Sequence, residues 1–230
     1  MLKAIKLCKS YNDKLALKDL SLSVAPGEIF CLLGQNGAGK TTTINIFLGL
    51  LEPTSGQALI DNVSVTNNKK TGSSIAYIPE AVQLYDNLTG LENLDFFSRL
   101  AGFKYSQEEL KNFLKKGNLQ EEAHNKKLSS YSKGMRQKVG IAVALAKNAS
   151  YILMDEPTSG LDPKASVEFA KTCKELAANG VGIFMATHDI FNAVNIGSRI
   201  GIMKEGTLIH TAETANITAQ ELQDLYIKTI

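Results

Sequence analysis

Cysteine, net charge and long apolar runs are all scarce in this chain, and each scarcity removes a class of explanation. Its 230 residues hold three cysteines, Cys8, Cys31 and Cys173. They are widely spaced, form no CxxC pair and sit beside no histidine cluster, so reduced, buried or half-buried thiols are expected rather than a disulfide framework. Lysine plus arginine number 25 against 23 acidic residues, a net charge of +2. That balance provides no basic field of the kind that points to nucleic acid as a partner. The longest apolar stretch, residues 139–146, falls far short of the roughly 20 residues needed to cross a bilayer. Met1-Leu2-Lys3-Ala4 opens no signal peptide. The expectation is a soluble chain that stays in the cytosol unless a partner holds it at a membrane.

What is present is a substantial apolar fraction, 44% of the residues, enough for a proper core in one large domain or two small ones. Residues 2–7 and 21–25 alternate apolar with polar before Pro26-Gly27, which predicts two strands of an antiparallel flank. Residues 29–33 are a continuous apolar run ending at glycines, and residues 41–51 read as a helix stopped by Pro53 and Gly56. Residues 151–154 and 181–186 are further buried-strand runs, each followed by polar residues and a helix, the βα alternation of a parallel sheet. Between them, residues 91–100 and 107–116 are amphipathic helices in a stretch rich in Lys, Glu and Asn, a helical insertion. The end, residues 199–210, reads as a hairpin about Glu205-Gly206, followed by a last amphipathic helix. With the glycine-rich stretch of residues 34–41 after its first buried strand, the predicted fold is α/β: a P-loop NTPase core with a mainly parallel sheet, an N-terminal antiparallel β flank and a helical insertion. It forms one domain over residues 1–230, with the core and flank at 1–84 and 134–230 and the insertion at about 85–133.

The chemistry sits in three places. Gly34-Gln35-Asn36-Gly37-Ala38-Gly39-Lys40-Thr41 follows a strand and opens a helix. Glycines let backbone N–H groups turn inward around phosphates, where φ is positive or where a Cβ would crowd the anion. The helix start contributes its dipole, Lys40 can reach the β- and γ-phosphates, and the Thr41 hydroxyl can ligate Mg²⁺, with Thr42 next in line. Asp155 and Glu156 leave the strand before them on the same sheet edge. There Asp155 can hold Mg²⁺ through its water shell and Glu156 can polarise an attacking water. Ser132 and Gly134 open the helix of residues 134–146, and a serine at a helix start is an N-cap and an anion site.

Together with Ser159-Gly160-Leu161-Asp162 and Thr187-His188-Asp189, these stretches stand in the order of the nucleotide-binding domain of ABC transporters. The chain resembles that family over nearly its whole length. The resemblance implies an ATPase whose cofactors are ATP and Mg²⁺. It implies that Ser132 and Gly134 touch the γ-phosphate of ATP held on a second copy, or on a paralogue, and that Asp162 lies at the dimer seam. His188 is implied as the switch histidine that holds Glu156 and the attacking water, and Tyr11 as the ring against adenine. The partners implied are integral membrane transporter subunits, one helix of which docks in the groove of residues 81–99, with no nucleic acid. The location implied is the cytoplasmic face of a cell membrane, in a bacterium. Leu91, Leu94 and Phe97 are expected on the core face of their helix, Tyr85 at the partner, and His124 and His210 at the surface.

Two spellings depart from the family pattern. Where a glutamine usually follows the strand of residues 75–78, this chain has Pro79-Glu80; Glu80 can still reach Mg²⁺ but adds a negative charge. The signature, often Leu-Ser-Gly-Gly-Gln, is Tyr131-Ser132-Lys133-Gly134-Met135. Both spellings resemble bacterial export cassettes whose membrane subunits are separate chains. A cytosolic ABC ATPase and a nucleotide-gated regulator with little turnover are the alternatives to a transporter subunit.

Overall fold

The computed structural model describes residues 1–12, 14–66 and 68–229. Its centre is a six-stranded sheet of β3 (Ile29–Leu33), β6 (Ile75–Ile78), β7 (Tyr151–Asp155), β8 (Gly182–Thr187), β9 (Arg199–Lys204) and β10 (Thr207–Glu213), in the spatial order β10-β9-β3-β8-β7-β6. All neighbours are parallel except the β9–β10 hairpin, which turns at Glu205-Gly206 as its sequence predicts. β3 is buried at all five positions: Phe30 and Leu32 face one core, Ile29, Cys31 and Leu33 the other. A strand covered on both faces has no reason to alternate, hence its continuous apolar run.

The first core lies between this sheet and a second, antiparallel one of β1 (Leu2–Tyr11), β2 (Lys14–Val24), β4 (Ser55–Ile60) and β5 (Val63–Ser64), in the order β2-β1-β4-β5. Alternation identifies β1 and β2, but both run farther than predicted, and β4 was not anticipated. Only Ala58 and Ile60 of β4 are buried, too short a signal to register as a period of two. α1 (Lys40–Phe47) packs into the same core through Ile44, Ile46 and Phe47. It ends earlier than the Pro53 and Gly56 stop expected from sequence. Gly49 takes the left-handed conformation at φ 68°, Leu50 donates to the Asn45 carbonyl at 3.0 Å and Gly49 to that of Ile46 at 2.9 Å, a Schellman closure that ends the helix itself.

The other face of the sheet is covered by α6 (Lys133–Ala146), α7 (Pro163–Ala178), α8 (Ile190–Ile196) and α9 (Ala219–Thr229). A short α2 (Asn68–Thr71) precedes β6, and α3 (Gly90–Leu100), α4 (Gln107–Lys116) and α5 (Glu121–His124) form the helical insertion. Capping boxes open α3 and α4, from Thr89 to Glu92 and from Ser106 to Glu109, which fixes both starts where the amphipathic pattern puts them. The insertion has its own core of Leu94, Leu110, Leu114, Leu119 and Leu128, completed by Val139, Ala142 and Ala146 of α6, while Ile141 and Ala144 of the same helix belong to the sheet core. α6 is therefore the shared wall of both units. His124 corrects the surface assignment: it is buried there, its Nε2 lying 3.2 Å from the Leu119 carbonyl. His210 is exposed as expected. The three cysteines are free; Cys31 and Cys173 are buried, and burial pushes the Cys31 thiol up to about 12.

Candidate functional site

Parallel pairing of β6, β7, β8 and β3 puts their carboxyl ends on one edge, so the segments that follow them converge. Gly34 follows β3, Glu80 follows β6, Glu156 follows β7 and His188 follows β8. A cavity of about 360 Å³ at this edge is lined by Tyr11, Gln35, Asn36, Gly37, Gly39, Lys40, Thr41, Thr42, Glu80, Asp155 and Glu156, with Lys14 and Ala16. Gly34 and Ala38 lie behind it. The Gly34 N–H donates to the Thr187 carbonyl at 3.2 Å, and Ala38 is buried in the sheet core.

The loop's shape follows from its glycines. Gly39 has φ 108°, and a Cβ there would lie 2.7 Å from the Ala16 carbonyl and 2.9 Å from Leu17 Cδ2; only glycine fits both the dihedral and the space. Lys40, 5% exposed, bends back over the loop. Its Nζ donates to the Gly34 carbonyl at 2.6 Å and the Gln35 carbonyl at 3.3 Å and lies 3.4 Å from Glu156 Oε1. A buried ammonium is thus poised over the cradle, neutralised for now by backbone oxygens and a carboxylate.

Thr41 donates from Oγ1 to Asp155 Oδ2 at 2.8 Å. Burial pushes the Asp155 carboxyl above its usual range, helped by the charges of Glu156 and Glu80 and opposed by the Thr41 bond and Lys40. Glu156 sits at φ 45°, a strained conformation for a non-glycine residue, fixed by its N–H bonding to the Ala186 carbonyl at 2.9 Å. Its Oε2 faces His188 twice, at 2.8 Å from Nδ1 and 3.3 Å from the backbone N–H. Its Oε1 is buried without a hydrogen-bond partner.

Not every sequence candidate converges in one chain. Ser132, Gly134 and Asp162 line no part of the cavity. Ser132 caps α6, accepting from the Met135 N–H at 3.3 Å, and Gly134 packs on Ala165 and Leu161. Asp162 caps α7, accepting from Ala165 at 2.9 Å with Pro163 behind it. Tyr11 is 47% exposed at the cavity rim, with the Lys9 ammonium 5.3 Å from its ring centroid. Two polar residues escape a reading of motifs. Gln137, fully buried in α6, donates from Nε2 to the carbonyls of Glu80 at 3.4 Å and Pro157 at 3.3 Å. Asn93, buried in α3, both accepts from and donates to the backbone of Tyr85. Gln137 closes the signature stretch of residues 131–137 but carried no assigned role, and only its position inside an otherwise apolar helix face could have marked Asn93.

The residues present fit a magnesium nucleotide. No side chain caps the start of α1 and no acidic residue stands in its first turn, leaving N–H donors and the dipole for an anion. A Cβ on Gly37 would meet nothing within 4 Å. The Thr41 hydroxyl and Asp155 carboxylate are hard oxygen donors side by side. Among the described residues no group of three or more His, Cys, Asp and Glu could hold a metal; Mg²⁺ typically takes one or two protein oxygens and fills the rest with phosphate and water.

Comparison with known proteins agrees. The sequence profile of the family described as ABC transporter matches residues 17–159. The chain is 34% identical over 229 residues to the uncharacterized ABC transporter ATP-binding protein YxlF of Bacillus subtilis, covering 98% of this chain and 75% of that one. It is 36% identical over 211 residues to the bacitracin transport ATP-binding protein BcrA of Bacillus licheniformis, covering 91% and 68%. Against ABC transporter A family member 4 of Arabidopsis thaliana, at 37% identity, it spans 85% of its own length and only 21% of that protein's. Among solved structures, a dimeric post-hydrolysis state of the ATP-binding cassette MJ0796 with ADP and phosphate superposes with a TM-score of 0.81 at 30% identity, covering 93% of this chain and 99% of that one. The cbiO1 subunit of the Clostridium perfringens cbiONQ transporter complex gives 0.85 at 28% identity, covering 98% and 92%. By its family profile, its relatives and its fold, the chain belongs to the ABC transporter family as one of its ATP-binding, ATP-hydrolysing cassettes.

Proposed function

We propose that the chain is the ATPase subunit of an exporter, that it works as a dimer with a second copy or a paralogue around two ATP molecules, and that it drives separate membrane-embedded subunits at the cytoplasmic face of a membrane. The observation that carries this is the half-built site. Tyr11, Lys40, Thr41, Asp155 and Glu156 line one cavity, while Ser132 and Gly134 begin a helix whose N-terminal end lines no part of it. A second chain's α6 start, with its dipole and its free N–H groups, is the piece that complements a γ-phosphate. That MJ0796 was solved as a dimer bound to ADP and phosphate supports a dimer of such cassettes with nucleotide.

Each residue then has a role. Tyr11 stacks on the base, and stacking tolerates any base, so discrimination between ATP and GTP is loose. Gln35 to Gly39 offer N–H groups to the phosphates, and Lys40 exchanges its loop carbonyls for β- and γ-phosphate oxygens. The Thr41 hydroxyl, Asp155 through water and Glu80 as a further oxygen donor would hold Mg²⁺, which would supply charge neutralisation at those oxygens. Glu156 takes a proton from the water that attacks the γ-phosphorus as the bond to the bridging oxygen breaks, giving ADP and phosphate. His188 holds Glu156 by the contacts at Oε2, and Asp162 and its neighbours sit at the seam between chains.

Export is supported by the printed names of relatives, bacitracin transport for BcrA and linearmycin resistance for LnrL of Bacillus subtilis. A place for the membrane subunit is supported by exposed Tyr85 and Phe96, whose rings pack with half-buried Phe97 at centroid separations of 5.0–6.1 Å, and by Leu100 on the same helix, 73% exposed. No helix of the described residues is long and apolar enough to cross a membrane.

Phosphate release by the parent and by Glu156→Gln tests the chemistry. The variant should lose at least about 100-fold in rate while still binding ATP and accumulating as a dimer in light scattering; a parent-like rate would show that Glu156 is not the base. Affinity capture from solubilised native membranes tests the assembly. A polytopic membrane protein that is lost with Tyr85→Ala supports the transporter reading, and capture of a soluble complex alone supports the cytosolic one.

A further inference from the structure

The two departures from the family spelling, Glu80 for glutamine and Lys133 for the first signature glycine, meet in space although they are far apart in sequence. Lys133 Nζ lies 3.8 Å from Glu80 Oε1, and the same oxygen accepts from the Ser159 hydroxyl at 2.9 Å. Gly160, at φ 67°, sits against the same lysine: a Cβ there would lie 3.7 Å from Nζ. Beneath this triad, buried Gln137 binds the backbone carbonyls of Glu80 and Pro157, so the loop after β6, the turn after β7 and the start of α6 are joined at one point. Glu80 also lines the cavity with Asp155 and Glu156. A neutral amide there costs nothing beside phosphates. A carboxylate adds a third negative charge to a wall that must receive a polyanion.

We propose that Lys133 is a positioning residue that neutralises Glu80 and holds it with Ser159, so that a glutamate in this loop can face a nucleotide as a neutral glutamine would. The inference rests on the nucleotide site proposed above. It makes a paired prediction: each departure is tolerable in the presence of the other, and Lys133 acts through Glu80 rather than on the phosphates. Lys133 and Glu80 are 35% and 56% exposed, so the pair is worth a few-fold in binding and is open to screening by salt.

The test is a double-mutant cycle on the full chain, reading MgATP dissociation constants by calorimetry for the parent, Lys133→Met, Glu80→Gln and the double variant. Lys133→Met alone should weaken binding about three- to fivefold, and in the Glu80→Gln background it should do nothing. Lys133→Arg should bind as the parent does. The effect of Lys133→Met should shrink as salt is raised from about 0.05 to 0.5 M, over which the Debye length falls severalfold. An equal loss in both backgrounds, or one indifferent to salt, overturns the inference and places Lys133 directly on the phosphates or in the fold. Failure of the catalytic reading is distinguishable, because it appears as phosphate release unaffected by Glu156→Gln in a chain that binds MgATP normally; a chain that binds no MgATP overturns both.

Discussion

Removing Lys40 should destabilise the nucleotide-free protein, and the loss should be partly reversed by also neutralising Glu156. Lys40 is nearly fully buried, and its ammonium has three oxygens within 3.4 Å: the carbonyls of Gly34 and Gln35, and Glu156 Oε1. Hydrogen bonds to a charged group contribute about 1.5–3 kcal/mol each at the strong end, and the 2.6 Å bond to Gly34 is of that kind. The 3.4 Å approach to Glu156 has a gross Coulomb term of roughly 5 kcal/mol at an effective dielectric constant near 20, most of it offset by the cost of desolvating both charges. Lys40→Ala therefore forfeits one strong bond and leaves Glu156 Oε1 buried with neither hydrogen bond nor cation, a net of about 2–4 kcal/mol. For a chain of this size that corresponds to a fall in Tm of about 4–16 °C. Glu156→Gln relieves the stranded charge, so Lys40→Ala in that background should cost about half as much. Urea unfolding without nucleotide or Mg²⁺ measures all four corners. Equal costs in both backgrounds would show that the two side chains are not coupled, and a cost under about 0.5 kcal/mol, the scale of an ordinary surface substitution, would show that the ammonium is not held as the structure places it.

Two further outcomes follow from the same geometry. Gly39→Ala demands a positive φ from an alanine and drives its Cβ to 2.7 Å from the Ala16 carbonyl; it should cost about 2–4 kcal/mol in urea unfolding and abolish nucleotide binding, and a stable, binding-competent variant would refute the steric account. At α3 the Glu92 carboxyl is held below its usual range by the backbone N–H and hydroxyl of Thr89. A depressed carboxyl contributes stability that is present above the ordinary value of about 4.3 and is lost as pH falls through the lowered one. Glu92→Gln should therefore flatten the acid limb of the stability curve while leaving it unchanged in shape above about pH 6; an unaltered acid limb would mean that the capping box carries no proton linkage.

What could be read from the sequence, and what could not, divides along a physical line. Gly39, Lys40, Thr41, Asp155 and Glu156 were legible because chemistry restricts the residue type at each place and one strand or helix start fixes the spacing. The parallel order β3-β8-β7-β6 then brings the separate segments to one edge without further specification. The antiparallel flank was half legible, since β1 and β2 alternate over enough residues to show a period, whereas β4 buries only Ala58 and Ile60. The end of α1 was misread because Gly49 stops it through a left-handed dihedral, which outranks the more conspicuous Pro53. His124 was misplaced for a related reason: composition marks histidine as a surface residue, while a carbonyl at the turn before α5 offers it a partner indoors. Glu80 shows the same limit at the site itself. In the sequence it stands as an isolated negative charge, and nothing local compensates it. In the fold its partner is Lys133, supplied by the very turn that carries Ser132. A motif reading, which scores positions one at a time, counts these as two defects; the structure joins them in one ion pair, so the signature turn of α6 bears on its own chain's cavity through Glu80, which lines it.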